Sequence, residues 1–228
     1  MTEGSGGYHN RREPICSKIR SLLVTLANGS ESNYDHIAPM IEYWIEYVLR
    51  EGFATVDELV EGVSGVAWDG VQGSYASVGR FLKEFRDSPH RSEQARSFVS
   101  QLCPYVLRWF SIASTEELWS CSDGSISNNG KSGFVSAASF VGHLIEQGLL
   151  SPDLVQRHLT KSLTNHPDDI SVNSPGATRA KAIYQLFLAA GNTLLRGLLE
   201  PDDVQTCLAK LQTRPHQLMG FDAAKLKV

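Results

Sequence analysis

The chain has 228 residues, a formal net charge of -4 and a pI near 6.0. Hydrophobic residues make up 42% of it, which excludes a disordered chain and supplies one good core or two small ones. The acidic balance excludes a general nucleic-acid coat protein, so any RNA contact has to come from a local patch.

Residues 1–12, Gly-rich and polar, read as a flexible N-terminal tail. Ile15, Ile19, Leu22, Leu23 and Leu26 then recur at helical spacing and stop at Asn28-Gly29. Asn33 or Asp35 can cap a second helix, with Ile37, Met40, Ile41, Trp44, Ile45 and Val48 on one face and Gly52 at its end. Thr55-Val56-Asp57-Glu58 has the capping-box pattern, in which the hydroxyl takes an N–H and the carboxylate reaches back. Leu59, Val60, Val63 and Ala67 form the stripe behind it, and Asp69-Gly70 breaks it. Val71, Tyr75, Val78, Leu82 and Phe85 predict a fourth helix, stopped by Ser88-Pro89. Ala95 to Phe110 carries a fifth stripe with Pro104 inside it, which predicts a kink or a split.

A short helix over Thr115 to Trp119 and a loop over Ser120 to Gly133 come next. Phe134, Ala137, Ala138, Val141, Leu144, Ile145 and Gly148 then make one broad apolar face. Phe140 lies off that face, which predicts a helix covered on more than one side. Ser151-Pro152-Asp153 opens the next helix after a sharp corner, with Leu154, Val155, His158, Leu159 and Leu163 on its face. Asn165 to Gly176 reads as a second loop. Ala180 to Leu195 reads as a long amphipathic helix, and a last helix starts at Glu200-Pro201-Asp202. Residues 214–228 form a C-terminal tail. No alternating apolar run marks a strand. The fold class is therefore all-α, built of antiparallel helix pairs about 40 residues in period, the size of HEAT-type repeats.

The chemistry-bearing residues are sparse. Gly124 to Ser132, GSISNNGKS, resembles a phosphate loop but has one residue too many between its glycines. The seven histidines show no HExxH and no i, i+4 pair, so no metal site is expected. His143 and His158 fall on facing members of the hairpin at the corner and line its seam. The four cysteines lack a CxxC pair, and three of them sit within helical patterns, where a reduced, buried thiol is the ordinary reading. Nothing lowers the Cys103 thiol, and no GxSxG occurs, so no catalytic residue and no cofactor is expected. No apolar run approaches the roughly 18 residues of a membrane span, and MTEGSGGYHNRREP has no secretory h-region. The expected location is the cytoplasm or nucleus. Two basic clusters stand out: Arg11, Arg12, Lys18 and Arg20, and then Arg80, Lys83, Arg86, His90 and Arg91. The second straddles a helix C-terminus, where cations are favoured by the dipole.

The order of these stripes resembles the middle domain of eukaryotic translation initiation factor 4G, the MIF4G domain. Lys18 to Leu23 looks like the family's opening helix, and Ser74 to Val78 like its tyrosine–alanine segment. Val99 to Trp109 looks like the cysteine-bearing fifth helix, with Cys103 at the cysteine. Ser139 to Ile145 followed by Gly148-Leu149-Leu150 looks like its phenylalanine–isoleucine–glycine–glutamate–leucine helix and leucine turn. Ala182 to Leu194 looks like the helix after that. The chain departs from the pattern at Gly79, where a cysteine is common, at Pro104, and at His143, where glutamate is usual.

The resemblance implies one HEAT-like or ARM-type α-solenoid of about five helix pairs over residues 13–213. It implies a non-catalytic scaffold or adaptor in messenger-RNA translation or turnover, bound to a DEAD-box helicase of the initiation factor 4A type. By the same resemblance Phe140, His143, Gly148 and Leu149 are the partner-binding candidates. Two other readings stand beside it. One is an RNA-binding HEAT module acting through Arg80, Lys83, Arg86 and Arg91. The other is an enzyme that uses the Gly124 loop on a nucleotide.

Overall fold

The computed structural model describes residues 6–29, 31–69, 74–113, 128–154, 181–182 and 184–191. Among them every regular element is helical and none is a strand. The chain divides into two compact units, Met1–Tyr105 and Val106–Val228.

In the first unit α1 (Gly6–Asn28) is the hub. It packs on α2 (Glu31–Arg50), α3 (Val56–Ser64), the 3-10 turn Gly65–Trp68 and α4 (Ala76–Asp87). Its Ile19, Leu23 and Leu26 are fully buried, as are Leu59 and Val63 of α3 and Val78, Phe81, Leu82 and Phe85 of α4. Helix α1 starts at Gly6, so residues 6–12 are helical and not a loose tail. Helix α2 starts at Glu31, which puts Asn33 and Asp35 inside it and not at its cap. Its buried stripe is Tyr34, Ala38, Ile41, Ile45 and Val48, steps of three and four residues that keep one face inward. Met40 therefore falls outside the core, contrary to the apolar count.

Local chemistry sets the ends of these helices. Gly52 has φ +68°, its N–H reaches the Leu49 carbonyl, and the Phe53 N–H reaches that of Val48. These two bonds make the Schellman stop that glycine accommodates without strain. Thr55 then caps α3. Its Oγ accepts the Glu58 N–H while the Thr55 N–H donates to Glu58 Oε2 at 2.9 Å. Helix α4 ends at Asp87, before Ser88-Pro89 as expected. Ser92 caps α5 (Glu93–Ala113), its Oγ accepting the Ala95 N–H.

Pro104 does not split α5, which is continuous from Glu93 to Ala113. Pro14 in α1, Pro39 in α2 and Pro104 are all exposed. A proline on the solvent side leaves the carbonyl four residues earlier where water can reach it, which limits the cost of the lost bond.

The second unit is organised on α6 (Asn128–Glu146). The helix begins inside the Ser120 to Gly133 stretch that reads as a loop. Gly133, Phe134, Ala137, Ala138, Phe140, Val141, Leu144 and Ile145 are buried. Phe134 stacks on Phe110 with ring centres 5.0 Å apart. Only Val135, Ser139, His143 and Glu146 break the cover around the helix from residue 133 onward. A second Schellman stop ends it: Gly148, φ +68°, donates to the Ile145 carbonyl and Leu149 to that of Leu144. A helical turn follows over residues 152–154.

Gly142 is where α6 meets the helical residues 184–191. A Cβ there would lie 2.6 Å from Ala189 Cβ and 2.7 Å from the Leu186 carbonyl oxygen. The two backbones touch because no side chain separates them. His158, the loop over 165–176, the helix from Glu200 and the tail from Arg214 lie outside the described residues, as do Thr115 to Trp119.

Candidate functional site

The second basic cluster is largely neutralised by its own neighbours. The Arg80 Nε bonds Glu84 Oε1 at 2.8 Å, and its guanidinium carbon sits 4.3 Å from the centre of the Tyr34 ring. Tyr34 Oη donates to Glu84 Oε2 at 2.5 Å. Burial and then that bond to Glu84 push the Tyr34 phenol well above its ordinary value. Burial by itself would raise the Glu84 carboxyl. The bonds from Tyr34 and Arg80 outweigh it and hold the group below its ordinary value.

Arg86 pairs with Asp87 at 2.8 Å. Arg91 pairs with Glu42 of α2 and lies over the Phe85 ring. Lys83 is exposed and helps to lower the Asp87 carboxyl, after the bond from Arg86. Next to Glu42, Glu46 accepts the Ser92 N–H at 3.2 Å and the Ser92 hydroxyl at 3.0 Å. These groups tie α2 to α4 and to the start of α5. Arg80, Arg86 and Arg91 thus hold carboxylates of their own unit, and Lys83 is the one residue of the four with no ion pair among the described residues. Arg20, in the first cluster, makes a two-pronged bond to Asp69.

At the corner of the second unit the four candidates separate. Phe140 is 0% exposed. It is a core ring of α6 and presents no face to a partner, so the contact role drawn for it from the resemblance is corrected to packing. His143 Nδ1 lies 2.9 Å from Glu146 Oε2, one turn on. Gly148 is exposed and Leu149 half-buried. Leu154, just past the corner, is 53% exposed.

The remaining chemistry is structural. Cys103 is buried, and burial pushes its thiol up to about 12, which leaves no thiolate at neutral pH. Cys16 is buried against Gly62, where a Cβ would approach its own Cβ to 2.8 Å. Of the phosphate-loop resemblance, 128–132 are the first turns of α6 and 124–127 lie outside the described residues. No group of three His, Cys, Asp or Glu that could hold a metal occurs among the described residues. No described helix is long and apolar enough to cross a membrane.

One surface was missed from sequence. Helix α2 carries an aromatic ridge on the side away from its buried stripe. Tyr43 is 59% and Met40 46% exposed. Tyr43 and Tyr47 are stacked, with centroids 5.8 Å apart and planes 11° apart. Trp44 meets both edge-on at 5.6 and 5.8 Å, and Phe53 continues the row at 5.5 Å from Tyr47. Lys18 Nζ of α1 sits 4.1 Å from the Trp44 ring centre, a cation–π distance. The signal was present in the sequence: two tyrosines one helical turn apart, off the aliphatic stripe. The chain matches no family model, no curated protein and no solved structure.

Proposed function

We propose that the protein is a non-catalytic interaction scaffold, a HEAT-like or ARM-type stack of about five helix pairs related to the MIF4G domain. It serves messenger-RNA translation or turnover. The observation that carries this reading is the α2 ridge. Among the described residues most large apolar side chains are buried, yet a row of Met40, Tyr43, Trp44 and Tyr47 stays partly in water. Clustered Tyr, Trp and Met on a surface are the composition of a binding patch.

The support for the family reading is that α6 ends in the glycine corner it requires, at Gly148-Leu149. On that reading a DEAD-box helicase of the initiation factor 4A type contacts the exposed part of the corner. The residues available there are His143, Gly148, Leu149 and Leu154, with Phe140 holding the helix from beneath. The paired state of Arg80, Arg86 and Arg91 weighs against an RNA site in that cluster.

The test is capture of the tagged full chain from a native extract, with and without nuclease. A helicase retained after nuclease supports the reading. Absence of any messenger-RNA factor from both captures refutes it.

A further inference from the structure

The α2 ridge has the two features by which single-stranded nucleic acid is held: open ring faces and an uncompensated cation beside them. Tyr43 and Tyr47 form a parallel pair whose outer member is the most exposed large apolar side chain among the described residues. Lys18 Nζ, the Trp44 ring and the Tyr43 ring follow one another at 4.1 and 5.6 Å. Lys18 makes no ion pair among the described residues. On the same helix Glu42 is paired with Arg91, and Glu46 keeps its charge while accepting two hydrogen bonds from Ser92. The cation beside the ridge is Lys18, at the Trp44 end.

We infer that this ridge binds a single-stranded nucleic acid, RNA under the function proposed above, on which this inference rests. Bases extend the Tyr43–Tyr47 stack, and a backbone phosphate meets Lys18. A duplex keeps its ring faces covered, so it cannot use such a platform. A peptide would want a groove or a free strand edge, and a convex helix face offers neither. The charge of Lys18 selects a partner that brings negative charge along with flat π surfaces.

The experiment is fluorescence anisotropy of the full chain with a labelled ten-nucleotide single-stranded RNA, a duplex of the same length and a proline-rich peptide. Wild type is expected to bind the single strand with a salt-dependent affinity and to leave the duplex and the peptide unbound. Tyr43→Ala is expected to weaken binding about 5- to 150-fold, the range for losing one stacked base. Tyr43→Phe keeps the ring and should restore it. Lys18→Gln should reduce the slope of log K against log salt by about 0.7, the value for one phosphate on a single strand. Lys83→Glu, off the ridge, should change affinity less than Tyr43→Ala does.

The inference is overturned if wild type binds no single strand, if duplex or peptide binds in preference, or if Tyr43→Ala and Lys18→Gln bind like wild type. A chain that captures a nuclease-resistant helicase but fails here loses the RNA assignment and keeps the scaffold function. A chain that fails both tests loses both.

Discussion

Replacing Gly142 with alanine sets two effects of opposite sign against each other. In the interior of a helix, alanine is favoured over glycine by about 1 kcal/mol. The added methyl would stand 2.6 Å from Ala189 Cβ, 2.7 Å from the Leu186 carbonyl oxygen and 3.2 Å from the Ala190 nitrogen. Two of these three atoms are backbone and the third is a Cβ, so no flexible chain end can swing aside. The two helices have to separate by several tenths of an ångström or more, which opens the packing along α6. Overpacking of this kind costs about 1–3 kcal/mol and sometimes more. With two approaches under 3.0 Å the cost lies at the upper end of that range, so the clash wins and the net loss is about 2 kcal/mol. At about 2–4 °C per kcal/mol for a chain of this size, Tm should fall by several degrees. Gly142→Val should fall further. Differential scanning calorimetry on the full chain reads both. A Gly142→Ala protein as stable as wild type, or more stable, would refute the close crossing of α6 with residues 184–191.

Other consequences can be measured on the same material. Thr55→Ala removes the acceptor of the Glu58 N–H and should cost about 1 kcal/mol of stability, read by urea titration. Phe140→Ala should cost about 3–5 kcal/mol, because the ring is wholly buried; a mutant of unchanged stability would return Phe140 to the surface. Glu84 has a folded-state carboxyl below its ordinary value. It therefore stabilises the fold above the unfolded value of about 4.3, and that contribution is lost as pH falls through the lower folded value. Glu84→Gln should flatten this part of the acid limb in a pH series of thermal melts. Cys103, with its thiol pushed up to about 12, should resist alkylation at pH 8 in the native chain and react in denaturant, as site-resolved mass spectrometry can show.

What the sequence could disclose follows from the range of the forces involved. The stops at Gly52 and Gly148 and the box at Thr55 to Glu58 rest on residues within one turn, and they stand where the pattern puts them. The all-helical class is equally local, since it needs only the period of apolar residues. Met40 and Trp44 show where locality ends. Both are apolar and both sit near the stripe of α2. Yet α1 and α4 cover the Tyr34–Ala38–Ile41–Ile45–Val48 line and leave Met40 outside. Pro104 predicts a kink or a split in α5, and its exposure is what lets the helix continue without a split. The basic cluster shows the same limit. Composition reveals Arg91, but only the fold brings Glu42 to it.

The central claim is that the rings on α2 form a binding surface and not stray exposed core. Capture of the tagged chain should be repeated with Tyr43→Ala, beside a thermal melt of the same protein. At 59% exposure the side chain contributes little to folding, so Tm should stay within about 2 °C of wild type, as for a surface substitution. The captured messenger-RNA material should fall several-fold. Capture indistinguishable from wild type at equal stability would contradict the account.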